Sequence, residues 1–189
     1  MMLMPGNPPL ADFDQPLDML QDCHRRVERF LAMLARAGDE APSPLDAEWR
    51  NALHAALEYF SNAAPLHTQD EEHSLFPRLR THANRPDVAT ALEVVERLEH
   101  EHDEAAILHA EHDRIGRSWL ARGDVDAADR RRFVELSTRL QAIYVEHIRA
   151  EDEHVFVTAR SALGPDELQA IGDEMRARRE TARVGTLTD

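Results

Sequence analysis

The chain has 189 residues, with 22 Lys and Arg against 36 Asp and Glu, for a formal net charge of -14. That length suits one domain with a sizeable core, and the charge argues against nucleic acid or an anionic membrane as a partner. Gly is scarce at 7 and aromatics are 5%, and the one cysteine, Cys23, excludes an intrachain disulfide and suits a reducing compartment.

No apolar run approaches the roughly 18 residues that a spanning helix needs. The opening MMLMPGNPP has no basic segment leading into an apolar one, so a soluble cytoplasmic protein is expected. Residues 1–12 read as a flexible lead. From about Asp14 to Ala37, Leu17, Leu20, Val27, Leu31 and Leu34 recur at helical spacing. Gly38 and Ala41-Pro42-Ser43-Pro44 end that helix. A second pattern runs from about Asp46 to His82 with Leu53, Leu57, Phe60 and Leu75 on one stripe. Pro65 and Pro77 interrupt it and predict a kink or break at each.

A third helix begins near Pro86, a favourable first-turn residue, carries Val88, Ala91, Val95, Leu98, Ala105 and Trp119, and closes at Gly123. The fourth spans about Asp126 to Leu163, with Phe133, Leu136, Leu140, Ile143 and Val155 on its apolar face. Gly164-Pro165 then starts a short fifth helix bearing Leu168, Ile171 and Met175. No segment alternates with period two. The expected fold is all-α, an up-down-up-down four-helix bundle over residues 13–163 with a short C-terminal helix and tail over 164–189.

Eleven histidines in so acidic a chain invite a search for H-x-x-x-E, which places two ligands one turn apart on one helix face. Five such pairs occur: His24/Glu28, His54/Glu58, His67/Glu71, His100/Glu104 and His147/Glu151. With 36 acidic residues in 189, about two would arise by chance, so spacing alone does not select among them. A repeat does. The segment from His67 through Glu71 to Phe76 aligns with that from His147 through Glu151 to Phe156, at an offset of 147 − 67 = 80 residues. Each is preceded by a lone histidine at similar distance, His24 at 43 residues and His102 at 45.

These residues fall on the core stripes. His24 continues Leu17 and Leu20 into Val27, and His102 continues Val95 and Leu98 into Ala105. His67 and Glu71 extend Leu53, Leu57, Phe60 and Ala64, while His147 and Glu151 extend Phe133, Ser137, Leu140 and Tyr144. Four imidazoles and two carboxylates thus point inward at one height. Burying them unpaired would cost several kcal/mol for each charged group, a penalty that bound metal removes. Two ions bridged by the two Glu would each keep two His and open positions, a donor set that suits iron, with manganese or zinc as alternatives.

The order H…HxxxE…H…HxxxE resembles the hemerythrin-like (HHE cation-binding) family. The segment Phe13-Asp-Gln-Pro-Leu-Asp-Met-Leu20 through Cys23-His24, the box His67…Glu71-Glu72…Leu75-Phe76-Pro77 and the tail Ile171…Glu174-Met175…Arg178-Arg179 resemble its bacterial branch. The resemblance implies ligands at His24, His67, Glu71, His102, His147 and Glu151. It also implies two oxo- or hydroxo-bridged iron ions and a protein that binds, senses or reacts with O2, nitric oxide or peroxide, with enzymatic turnover left open. Oxygen-carrying members have a second histidine one turn along the third helix and an Asp as the last carboxylate. Here Leu98 and Ala106 flank His102 at that spacing and the carboxylate is Glu151, which favours sensing or redox chemistry over oxygen storage. A non-enzymatic iron-sensing module and a zinc-loaded or mononuclear structural bundle use the same ligands. A monomer or homodimer fits equally.

Among the remaining candidates, Glu28 reads as a solvated charge and His100 falls off the stripe. His109 and His154, seven residues from a ligand, read as polar groups behind the site or at the core's end. His54, His73, His82 and His112 read as surface residues. Tyr144 either donates to a metal-bound oxygen or is an amphipathic core residue. Cys23 reads as a buried, inert thiol.

Overall fold

In a computed structural model, residues 11–185 are described, so most of the expected flexible lead and the last four residues of the tail lie outside the described residues. Five helical stretches follow in order: α1 (Pro16–Glu40), α2 (47–81), α3 (Pro86–Arg122), α4 (127–162) and α5 (Pro165–Gly185). Among the described residues there is no strand, and no helix is long and apolar enough to cross a membrane. The fifth helix, at 21 residues, is longer than the sequence reading allowed.

The ends obey local chemistry. Pro opens α1, α3 and α5, where its missing N–H is one that a first turn leaves unpaired anyway. Asp46 caps α2 by accepting from the Trp49 N–H, and Asp126 caps α4 by accepting from Ala128 and Asp129. Gly123 ends α3 at φ 74°, a left-handed conformation that costs glycine nothing.

The two prolines inside α2 do not break it. Each is preceded by a π-turn, Tyr59–Ala63 before Pro65 and Glu71–Leu75 before Pro77. A proline ring clashes with the carbonyl four residues back, and both of those carbonyls, at Ser61 and His73, lie inside the widened turns. A third π-turn, Glu151–Val155, sits in α4 with no proline to explain it, at the position equivalent to Glu71–Leu75.

Packing divides the core into two apolar blocks. One contains Val27, Leu31, Leu53, Phe60, Ile115 and Phe133, and the other Leu17, Leu20, Leu75, Val95, Val155 and Ile171. On every one of the first four helices the metal-candidate residues fall between the two blocks, as the stripes require. α1 and α3 each pack against α2 and α4, and α5 lies over α1 and α2. The α1–α2 and α3–α4 connections meet at one end, where the Leu45 N–H donates to the Gly123 carbonyl at 2.8 Å. At the other end, Arg85 reaches the Ser161 carbonyl at 2.9 Å and His82, half-buried and not fully on the surface, pairs with Glu167 at 2.9 Å.

Gly172 marks how closely α5 is held. A Cβ there would run into the carbonyl oxygen of Phe13, a backbone atom that cannot swing aside. In an open helix Gly→Ala stabilises by about 1 kcal/mol. Here Gly172→Ala is expected to destabilise by about 1–3 kcal/mol through overpacking, read as a lowered urea midpoint.

Candidate metal centre

All six residues singled out by the repeat converge. His24, His67, Glu71 and Glu151 offer atoms within 4.8 Å of one another, and so do Glu71, His102, His147 and Glu151. All six side chains are almost entirely buried, and Glu71 and Glu151 have no exposure. The two carboxylates belong to both groups.

Every histidine turns Nε2 inward. Nε2 of His67 lies 3.2 Å from Glu71 and that of His102 3.5 Å from Glu71, while His24 and His147 lie 3.0 and 3.4 Å from Glu151. His102 and His147 bring their Nε2 atoms to 3.1 Å, about the separation of two nitrogens each ~2.1 Å from one first-row ion. Three of the four rings are aimed from behind by a carboxylate. Nδ1 of His24 meets Asp152 at 3.1 Å, that of His102 meets Glu72 at 2.9 Å, and that of His147 meets Glu101 at 3.0 Å. Such partners fix the tautomer that leaves Nε2 free as a donor to metal.

Whether these residues suit a cation is decided by what they leave unpaired. Both oxygens of Glu71, both of Glu151 and His24 Nε2 are buried with no hydrogen-bond partner among the described residues. His24 Nε2 and Glu151 are close enough to bond but are not directed at one another. Buried polar atoms are almost always paired, and so many unpaired at one point, all lone-pair donors, fit a cation shared among them.

Their protonation reflects the same crowding. Burial, then the neighbouring Glu151, pushes the Glu71 carboxyl up to about 7. Burial acts the same way on Glu151 but is overcome by His147 and His24, which hold it well below the usual carboxylate range. For His147, burial works against protonation, but Glu151, Glu71 and Glu101 prevail and raise it to about 9. Burial dominates at His67, reinforced by His24, and lowers it well below the ordinary imidazole value.

Asp70, which the sequence reading passed over, is fully buried beside Glu71 and is held by Arg178 at 2.8 Å and Arg179 at 2.7 Å from α5. Arg178 also donates to Ser74 at 2.5 Å, and Ser74 bonds Glu174. Asp152, Glu72 and Glu101 were likewise not singled out. Glu28 and His100 are exposed, as read, and so are His54 and His73. Cys23 is buried and burial pushes its thiol up, in keeping with an inert group.

Besides His82, two histidines differ from expectation. His154 is exposed, because the π-turn at Glu151–Val155 carries it off the inner face that a regular helix would give it. His112, read as a surface residue, is buried. Its Nε2 lies 2.8 Å from Ser137 Oγ, whose hydroxyl donates to the Phe133 carbonyl at 2.9 Å, so His112 is the donor in the first bond. His109 pairs with the Tyr144 hydroxyl at 3.2 Å and stacks on Phe60. His109, Tyr144, Phe60, Ala105 and Ala106 line a cavity of about 510 Å³ between α2 and α3, and of the six candidate ligands its lining includes His102.

Burial lowers His109 to about 4 and His112 to about 3. A folded value below the unfolded one means that stability is complete above about pH 6.5 and is lost as pH falls towards the folded values. For His112 the loss between pH 7 and pH 4.5 is about 2–3 kcal/mol. The free energy of unfolding is therefore expected to fall more gently with acid in His112→Gln than in the wild type, measured by urea titration at each pH.

Comparison with known proteins agrees with the geometry. The hemerythrin HHE cation binding domain matches residues 15–159. An uncharacterized protein of Haemophilus influenzae is 32% identical over 184 residues, spanning 90% of this chain and 93% of its own. The match takes in both histidine–glutamate boxes and the lone histidine before each, and the chain belongs to the hemerythrin-like, HHE cation-binding family.

Proposed function

We propose that this protein holds two iron ions within a four-helix, up-down-up-down bundle and binds, senses or reacts with O2, nitric oxide or peroxide. The observation that carries the reading is the set of unpaired buried lone pairs on Glu71, Glu151 and His24, with two histidines completing each group. His24 and His67 would hold one ion and His102 and His147 the other, with Glu71 and Glu151 shared between them. Iron bound there would supply one-electron exchange and open positions for a small ligand.

The chain's own residues set the conditions. Asp152, Glu72 and Glu101 accept the Nδ1 protons of His24, His102 and His147 and keep each Nε2 directed inward. The two apolar blocks exclude bulk water from either end. The small side chains of Ala105 and Ala106, with Tyr144 and His109, shape the cavity by which a diatomic molecule or peroxide would arrive beside His102. Ala106, at the spacing where oxygen carriers have a further histidine, offers no ligand atom, which favours sensing or redox chemistry over storage. The single buried cysteine suits a reducing cytoplasm.

The test is metal content per chain after expression in iron-supplemented medium, read with the visible spectrum in air. About two irons with near-ultraviolet oxo-bridge absorption are expected, and Glu151→Ala is expected to retain at most one. A colourless protein with zinc alone, or with no metal, would overturn the redox reading and favour a structural bundle; two irons retained in Glu151→Ala would overturn the ligand assignment.

A further inference from the structure

The four histidines are not equally supported, and the difference follows the division into two groups. In the group of His102 and His147, both rings have a carboxylate behind them, Glu72 at 2.9 Å and Glu101 at 3.0 Å. In the group of His24 and His67, only His24 does, through Asp152 at 3.1 Å. His67 Nδ1 is buried with no hydrogen-bond partner among the described residues. The internal repeat shows where the symmetry fails. Glu72 and Asp152 are equivalent at the 80-residue offset (152 − 72) and serve equivalent histidines across the bundle. Glu101 precedes His102, and the residue that precedes His24 is Cys23, a thiol where the second hairpin has a carboxylate.

The consequence is electrostatic. A carboxylate accepting the Nδ1 proton makes Nε2 a stronger donor and places a negative charge about 5 Å further out, and loss of such a partner typically weakens metal binding by about 10–100-fold. Glu71 and Glu151 are common to both groups. In carboxylates behind the rings, the two groups differ by one, Glu101.

We propose that the two ion positions are unequal by construction: the His102/His147 position, doubly backed by Glu72 and Glu101, binds a divalent ion more tightly than the His24/His67 position, which Asp152 alone supports. The proposal rests on the dinuclear reading above and goes beyond it, because it assigns Glu101 as the positioning residue that sets the order of filling.

Zinc, which is redox-inert, is the probe. The full-length, zinc-loaded protein is equilibrated against chelator buffers of falling free zinc, with metal per chain and circular dichroism followed together. Release is expected in two steps about 10–100-fold apart in free zinc. In the one-zinc species, the ring NMR signals of His102 and His147 stay at their metal-bound positions while those of His24 and His67 revert. Glu101→Ala, at a partly exposed side chain, should bring the steps together, and Asp152→Ala should spread them further.

Release of both ions in one step from the wild type, retention of zinc on His24 and His67, or an unchanged separation in Glu101→Ala would overturn the inequality while leaving two ions in place. A wild-type chain that never holds two ions would overturn the inequality together with the dinuclear reading. Circular dichroism separates any of these from loss of the fold.

Discussion

Two carboxylates, Glu71 and Glu151, sit at the centre of this protein with no access to water, and the rest of the structure is organised around making that tolerable. A buried anion costs several kcal/mol unless it is paired and bonded, and two side by side cost more. Four histidines, one from each of the first four helices, are the response. A cation between the rings and the carboxylates removes the conflict by using lone pairs that nothing else satisfies. The layer separates two apolar blocks that could otherwise have been continuous. Replacing such a layer by apolar side chains is often neutral or stabilising, so stability alone does not account for it.

The local helix geometry follows from the same demand. Both carboxylates begin a π-turn, a widening that is uncommon and that clusters at functional sites. The extra residue lets Glu71 face the centre while Ser74, Leu75 and Phe76 after it also turn inward. Beyond the first ring of atoms, charge alternates outward from imidazole to carboxylate. Asp70 extends the alternation to Arg178 and Arg179, tying α5 to the stretch of α2 that carries His67 and Glu71. The fifth helix is thereby fastened one residue from a candidate ligand.

Much of this was legible in the sequence, because inward-facing polar residues on an apolar stripe are rare and the repeat gave an independent check. The same offset pairs Glu72 with Asp152, so two of the three backing carboxylates were visible in principle. Glu101 was not, since the first hairpin has Cys23 and no carboxylate at the equivalent position, and neither was the pairing of Asp70 with arginines more than a hundred residues away. His112 was misread because an imidazole suggests surface, although Ala105, His109, His112, Gly116 and Trp119 continue the stripe at 3–4 spacing. Position carried the truer information than polarity. His154 failed in the opposite way: a regular helical phase was extended through a π-turn that no proline announced.

The two grooves beside α2 show how such a layer is made reachable without being flooded. On the α1 side, α5 covers α2, and the buried Asp70 with its two arginines holds that cover down. On the α3 side, alanines stand where larger residues would close the gap, and the cavity's lining includes His102. His109 and His112 line it, but burial keeps both uncharged at neutral pH, and Asp113 at its mouth is already engaged by Arg117 and Ser61. A charged molecule entering there would lose its hydration among mostly apolar side chains, whereas a small neutral one would lose little. In the proposed function, such a lining would favour a small neutral ligand over a charged one on the side of the layer that holds His102.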